Sequence, residues 1–205
     1  ERNQERYRLT AATPASRENM SPRDRAGWLW FDRKFAEAVE TLDQKILPPR
    51  AADTTRYTWF TRRSDALRRV GRIAEAEADA RTALELAQKI GDASAVDASF
   101  NGYRLASALV RVGRTDEGLA EARRYVAAMS PTNQVAEHWE REVQLAELLA
   151  YAGRTRECVE LLGKLLRVPS VITVPMLRAS PDWDNLRDDS GFKVLLADPK
   201  NSTSL

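Results

Sequence analysis

The sequence predicts an all-α fold in which antiparallel helix pairs stack on one another as an α-solenoid. Three segments align on glycines that lie 42 and 40 residues apart: Gly71, Gly113 and Gly153. Apolar residues recur at steps of three and four before and after each glycine, which is the spacing of one helix face. Neither helix of such a pair can bury its apolar face alone, so we expect the pairs to stack.

Composition narrows the fold and the function. The 205 residues include nine glycines and nine prolines, too few for a fold made of many tight turns. The 32 lysines and arginines against 30 acidic residues leave a net charge of +2, unlike the strongly basic surface of non-specific nucleic-acid binders. Because 43% of the residues are apolar, the chain can bury a core.

Residue types that commonly act in catalysis or in metal binding are scarce. Cys158 and His138 are the single cysteine and the single histidine, which excludes an internal disulfide and metal sites built from several of either. Cys158 stands where the other repeats have Ala76 and Gly118, so we expect it to pack as a small buried residue. No Gly-rich phosphate loop and no serine elbow is present. We therefore predict no catalytic residue, no metal and no cofactor.

The sequence does not determine the cellular location of the chain. No stretch approaches 18 consecutive apolar residues, so no membrane insertion is predicted. The first residues carry no secretory signal. Because the chain begins with Glu1 rather than methionine, we expect a soluble segment of a larger parent protein, either cytoplasmic or extracytoplasmic.

Each repeat glycine is predicted to end a helix in the left-handed conformation, which glycine adopts without a Cβ clash. Shortly afterwards, Thr115 or Thr155 is predicted to accept a backbone N–H and cap the next helix. Glu117 and Glu157 then fall in the first turn of that helix, where negative charge suits the helix dipole. Each repeat is therefore expected to be a helix, a tight turn and a second helix.

The predicted elements follow in order along the chain. Residues 1–19 are expected to be a helical or flexible lead-in, and residues 20–168 to hold the repeats. A degenerate first repeat and three full repeats are assigned to residues 20–50, 56–90, 99–130 and 139–168. The final residues, 198–205, are polar and predicted to be a disordered tail.

Between the last repeat and the tail, residues 169–197 are predicted to form a short helical cap. A solenoid leaves its last helix with an open apolar face, which a cap must cover. Ser180, which precedes a proline, and Asp189 are predicted to begin two short helices. Apolar side chains available to cover the open face are Leu177, Trp183, Leu186, Phe192, Leu195 and Leu196.

The repeat resembles the tetratricopeptide repeat (TPR) family, in which a Gly-x-aromatic-x-Glu-Ala turn links two helices. The period exceeds the family's usual length of about 34 residues, and Ile73, Thr115 and Thr155 replace its expected tyrosine. The resemblance implies a right-handed solenoid in which the first helix of each pair lines a concave groove. Matching residues are Gly71, Glu75, Ala76, Ala83, Leu84 and Leu86, then Gly113, Glu117, Ala122 and Val126, then Gly153, Glu157, Leu165 and Leu166.

The segment 174–196 resembles the segment that closes certain bacterial repeat modules. Those modules follow protein kinases, nucleotide cyclases or winged-helix regulators in multidomain signalling proteins. Asn185 and Ser190-Gly191 depart from the usual pattern. The resemblance implies a non-catalytic module for protein–protein interaction or sensing. The shared residues are Leu177-Arg178, Pro181, Trp183-Asp184, Leu186-Arg187, Asp189, Phe192 and Leu195-Leu196.

A TPR-like stack predicts a partner-binding concave face once the repeats are registered on their glycines. Aromatic residues mixed with both signs of charge are typical of a peptide groove. Thr61 and Asp65 stand where relatives carry the Lys and Asn that clamp a chaperone's C-terminal carboxylate, so that ligand is not expected. The alternative is that Tyr103 and Tyr151 only pack between repeats. The predicted residues are Thr58, Thr61, Asp65, Arg68, Arg69, Phe100, Tyr103, Ser107, Arg111, Glu140, Glu147 and Tyr151.

The segment 56–72 is a strongly basic helix with interleaved aromatic residues. Three interpretations stay open: pairing with the acid-rich helix that follows, binding of an acidic or C-terminal peptide, or binding of nucleic acid. A protein or peptide partner is favoured, and nucleic acid is the weaker alternative. An oligomerisation scaffold is a further alternative, and the oligomeric state is left open.

Overall fold

The computed structural model describes residues 20–43, 47–48, 50–93, 98–129, 135–168 and 172–201, giving residues 92–93, 98–100 and 135–137 by their backbone only. Throughout these described residues the regular structure is helical and no strand is present, so the predicted all-α class is confirmed. The chain forms two compact units, Glu1–Ala93 and Ser94–Leu205, called the N-terminal and C-terminal units below. The predicted lead-in, 1–19, lies outside the described residues.

The N-terminal unit consists of two helical hairpins. The two helices of each hairpin pack together, and α2 also packs against α3. The indole N–H of Trp59 donates a hydrogen bond to the carbonyl of Leu42 over 2.8 Å, which ties the second hairpin to the end of α2. Leu29, Val39 and Leu67 are among the buried core residues. The helices are α1 (Pro22–Phe31), α2 (Phe35–Thr41), α3 (Asp53–Arg69) and α4 (Ile73–Ala93).

The C-terminal unit begins with two longer hairpins. Helices α5 and α6 pack together, α7 and α8 pack together, and α7 also contacts both α5 and α6. Buried Leu119, Leu148 and Leu162 belong to one core cluster that joins the hairpins. The helices are α5 (Ala98–Arg111), α6 (Thr115–Ala127), α7 (Val135–Tyr151) and α8 (Thr155–Leu165).

Three short helices after α8 form the C-terminal cap: α9 (Val174–Ala179), a 3₁₀ helix (Pro181–Leu186) and α10 (Ser190–Ala197). The 3₁₀ helix packs against α7, and α10 packs against α8. The predicted starts are confirmed, because the Ser180 hydroxyl accepts from the N–H of Asp182 and the Asp189 carboxylate accepts from the N–H of Phe192. Four predicted anchors are fully or nearly fully buried: Leu177, Trp183, Leu186 and Phe192.

The start of the predicted tail is ordered. A 3₁₀ turn spans Pro199–Asn201, and the side-chain amide of Asn201 donates to the carbonyl of Leu195 over 3.0 Å. This corrects the prediction of disorder for 198–201: the amide caps an otherwise open carbonyl of α10, which the polar composition did not reveal. Residues 202–205 lie outside the described residues.

The predicted left-handed glycines are confirmed. Gly71, Gly113 and Gly153 have φ values of 78°, 86° and 70°. The residue after each glycine donates its N–H to a carbonyl in the last turn of the preceding helix, as Arg114 does to Leu109 over 3.0 Å. Arg33 takes the same place in the first hairpin, with a φ of 56°. The first hairpin therefore has the same left-handed turn without a glycine.

The predicted threonine caps are wrong. Helix α6 begins at Thr115, and the residue before it, Arg114, has φ −82° and ψ 56° with no side-chain cap. In place of a cap, the Arg114 guanidinium binds the Glu117 carboxylate with both N–H groups, the Nε bond being 2.8 Å long. The threonine is already helical, so its hydroxyl is not placed to accept from the first turn. Such an exposed ion pair contributes less than about 1 kcal/mol.

The left-handed turns give a paired prediction of stability. Gly71→Ala is expected to lower the free energy of unfolding by about 1 kcal/mol, since an added Cβ meets nothing within 4 Å and only the backbone strain counts. Arg33→Gly is expected to raise it by about 0.5 kcal/mol, because relief of the same strain exceeds the extra freedom of the unfolded glycine. Urea denaturation followed by circular dichroism measures both, and equal signs for the two changes would contradict the strain argument.

Candidate binding surface

The predicted residues of the N-terminal unit lie along α3 and contact their own unit. The hydroxyl of Thr58 donates to the carbonyl of Thr54 over 3.0 Å, and Thr61 is buried. Asp65 and Arg68 are half-buried. The guanidinium of Arg69 lies 5.5 Å from the ring centroids of both Trp30 and Phe35. Arg69 is therefore engaged by the aromatic first hairpin, a role that its position in a basic run did not indicate.

The basic helix is largely turned toward its own unit. Arg62 donates to the carbonyl of Arg23 over 3.0 Å. Arg63, which is mostly buried, lies 3.5 Å from the carboxylate of Asp79 on α4. In the turn between α3 and α4, Arg72 binds the Glu75 carboxylate through two hydrogen bonds of 2.6 Å. These contacts are the intramolecular pairing that the sequence left as one of three interpretations.

Five predicted residues of the C-terminal unit come together. Tyr103, Ser107 and Arg111 share one face of α5, and Glu147 and Tyr151 share one face of α7. Arg111 donates from one Nη to both the hydroxyl and the carbonyl of Ser107, and its guanidinium lies 4.8 Å from the ring centroid of Tyr151. The hydroxyl of Tyr103 is hydrogen-bonded to the carboxyl of Glu147. Alignment of the repeats on their glycines therefore selected five residues that lie close together in the C-terminal unit.

Three further residues extend this cluster, and the sequence did not single them out. The ring of Tyr125, on α6, lies 6.2 Å from that of Tyr103. The buried Arg141 of α7 donates to the Tyr125 carbonyl over 2.6 Å, and its guanidinium lies 4.1 Å from the Tyr125 ring centroid. Burial raises the pKa of the Tyr125 phenol. Asp182, on the 3₁₀ helix of the cap, acts electrostatically on Glu147.

These contacts form a continuous run of side chains, here named the aromatic–arginine ladder. Two of its members are arginines and the other four are three tyrosines and a glutamate, and most of them are partly exposed to solvent. In the order of their contacts and electrostatic interactions they are Arg141, Tyr125, Tyr103, Glu147, Arg111 and Tyr151.

Glu147 is the most electrostatically perturbed member of the ladder. Withdrawal from water is the main cause that raises the pKa of its carboxyl from 4.5 to about 8, and the nearby charge of Asp182 acts in the same direction. Arg111 and the Tyr103 hydroxyl oppose this rise. Burial of Glu147 therefore favours the protonated form of its carboxyl over the ionised form.

Of the two remaining predicted residues, Glu140 has a described side chain. Glu140 is exposed on α7, and its negative charge contributes to the raised pKa of Tyr125. The side chain of Phe100 lies outside the described residues.

The single cysteine and histidine do not form a catalytic pair. Cys158 is fully buried, its thiol donates to the carbonyl of Ala146 over 3.2 Å, and burial raises its pKa to about 12. His138 lies 3.7 Å from the Glu142 carboxylate and packs edge-on against Trp139. Cys158 thus packs as the small buried residue that the repeat alignment predicted. A thiol with so high a pKa is a poor nucleophile.

Comparison with known proteins adds no relative: no protein-family model, curated protein or solved structure matches the chain. Across the part of the chain that the structure describes, no group of three or more metal-ligating side chains is assembled. In the same part, no helix combines the length and the apolar character that crossing a membrane requires.

Proposed function

We propose that this chain is a non-catalytic protein-interaction module of the TPR type, belonging to a bacterial signalling protein. Its helix pairs form a right-handed α-solenoid, and a peptide or partner domain binds along the concave face. The contacts within each unit support this proposal, since every hairpin turns through a left-handed residue and the last one is covered by a helical cap.

The aromatic–arginine ladder is the observation that carries the proposal. Tyrosine and arginine dominate the binding energy of protein interfaces, because they combine large apolar area with directed hydrogen bonds. Tyr103, Arg111 and Tyr151 come from the first helix of successive hairpins and remain half-buried, so part of each stays accessible. A functional surface is the simplest reason to leave these side chains partly exposed.

The ladder is also held rigid before a partner arrives. The guanidinium of Arg111 is held by Ser107 on its own helix and by the Tyr151 ring on α7. Each long side chain that is already ordered spares roughly 0.5–1.5 kcal/mol of entropy loss on binding. The basic helix of the N-terminal unit offers less to a partner, because Arg62, Arg63 and Arg72 are engaged by their own unit.

Loss of the Tyr151 ring is expected to weaken peptide binding. A displayed library of random peptides is selected against the chain, and the enriched peptides are synthesised and titrated by fluorescence anisotropy. Tyr151→Ala should raise their Kd by about tenfold or more, since an aromatic hot spot contributes over 1 kcal/mol. Tyr151→Phe should bind nearly as the parent does, because the ring that stacks with Arg111 is kept.

Val194→Ala provides the control for this test, since Val194 is 66% exposed on α10 and lies outside the ladder. It should leave the Kd unchanged. Enriched peptides that bind Tyr151→Ala as tightly as the parent would remove the ladder as the binding surface. Failure to enrich any peptide would count against peptide recognition itself.

A further inference from the structure

Helix α1 of the N-terminal unit ends in four consecutive apolar residues. Successive side chains of a helix point about 100° apart, so a single helix face cannot bury all four of them. Leu29 is buried, whereas Trp28, Trp30 and Phe31 remain partly exposed. Phe35, the first residue of α2, is also partly exposed, and its ring centroid lies 5.1 Å from that of Trp30. The four partly exposed rings are here named the aromatic face: Trp28, Trp30, Phe31 and Phe35.

The hairpin turn does not require an aromatic residue at Phe35. Lys34 and Arg114, which precede α2 and α6, have closely similar backbone angles, φ −86° and ψ 59° against φ −82° and ψ 56°. The next residue is Phe35 in the first hairpin and Thr115 in the third. Packing of Arg69 of α3 against the Phe35 ring, at 5.5 Å from its centroid, still leaves that ring partly exposed. Exposed aromatic area that the turn does not need is typical of an interaction surface.

The exposed charges next to the aromatic face balance one another. Within the stretch 32–37, two exposed cations accompany two exposed anions: Asp32, Arg33, Lys34 and Glu37. The Lys34 ammonium lies 5.8 Å from the Trp28 ring centroid and 3.6 Å from the Glu37 carboxylate, so charges of both signs lie at the edge of the face. A nucleic acid, an anionic membrane or a strongly acidic peptide would therefore gain little net attraction at this surface.

We infer that two copies of the chain associate through their aromatic faces, about a two-fold axis. In such a contact the same surface is used twice, so the cations beside the face of one copy lie against the anions beside the face of the other. The rings of the two copies pack together, and aromatic residues contribute much of the binding energy of protein interfaces. Because four rings per copy make a small interface, we expect a weak dimer that forms only at high protein concentration.

Sedimentation velocity of the whole chain, at concentrations up to several hundred micromolar, measures the association. The average mass of the parent should rise with concentration toward twice the mass of one chain. The double variant Phe31→Ser with Phe35→Thr should raise the dissociation constant by about tenfold or more, since aromatic residues are the usual hot spots of an interface. Threonine replaces Phe35 because Thr115 occupies the same place in the third hairpin. Val194→Ser is the matched control: it removes an apolar side chain that is 66% exposed on the cap and should leave the dissociation constant unchanged.

Reversal of a single charge tests the two-fold pairing. Lys34→Glu gives the face a net negative charge and Glu37→Lys gives it a net positive charge, so either variant alone should dimerise at least about threefold more weakly than the parent. In an equal mixture, the negative face of one variant meets the positive face of the other, and the two should associate about as tightly as parent chains do. Both positions are exposed, so neither change should disturb the core.

Circular dichroism shows whether each variant is folded, and if the double variant is not, the two charge variants decide the question. The inference is wrong if the parent stays monomeric at every concentration, if the folded double variant dimerises as tightly as the parent does, or if mixing the charge variants restores no association. The aromatic–arginine ladder belongs to the other unit and no peptide is present, so none of these results bears on the proposed peptide binding.

Discussion

Replacing Gly118 with alanine is expected to lower the free energy of unfolding of the C-terminal unit by about 2 kcal/mol. A Cβ at this position would stand 2.8 Å from the carbonyl oxygen of Ala106 and 2.9 Å from the backbone nitrogen of Val110. Backbone atoms cannot rotate away, so α5 and α6 would have to separate at the point where they cross. Overpacking of this kind typically costs 1–3 kcal/mol or somewhat more, which exceeds the roughly 1 kcal/mol that alanine gains over glycine in a helix.

Gly163→Ala is the matched control, since Gly163 also lies inside a helix, α8. Its Cβ would meet only a methyl group of Leu195 at 3.4 Å, an ordinary contact. The gain in helix propensity should therefore prevail and stabilise the unit by up to about 1 kcal/mol. Urea denaturation measures both variants. If Gly118→Ala proves as stable as the parent, α5 and α6 do not approach as closely as described.

Much of the fold could be predicted because its turns are local events. A glycine in the left-handed conformation closes one helix and opens the next whatever the rest of the chain does, so Gly71, Gly113 and Gly153 were recognisable from their spacing. Arg33 occupies the same conformation without the residue type that announces it. The threonine caps were wrongly predicted because Thr115 is already the first residue of its helix, and the residue before it, Arg114, pairs its side chain with that of Glu117.

Some residues of the candidate surface could be predicted from helix geometry, and others reach it only through the packing of helices. Tyr103, Ser107 and Arg111 share a face because they are four residues apart, and a register along α5 is enough to group them. Tyr125 and Asp182 reach the same cluster from α6 and from the cap. Nothing in their own spacing indicates this, since the distance between two helices depends on every side chain between them.

Arg69 shows the opposite case, a residue whose local pattern suggested a free cation. Its neighbours in the sequence are basic, yet its guanidinium lies against the rings of Trp30 and Phe35, more than thirty residues earlier. A cation held over two aromatic faces can gain roughly 1–2 kcal/mol. The first hairpin therefore binds Arg69, which the basic sequence around it predicted to contact a partner.

Trp183→Ala is expected to lower the free energy of unfolding of the C-terminal unit by about 4 kcal/mol. Trp183 is 2% exposed and belongs to the cluster that joins the cap to α7 and α8. Removing a buried tryptophan costs 3–5 kcal/mol, because the lost transfer energy adds to the energy of the cavity. Calorimetry measures the change, and Val194→Ala, at a 66% exposed position of the cap, should leave the stability within about 0.5 kcal/mol.

If the alanine variant does not fold, Trp183→Phe replaces it in the experiment. The phenylalanine variant should fold and lose only part of the stability. A loss under about 1 kcal/mol for Trp183→Ala would show that the cap lies on the unit without contributing to its core.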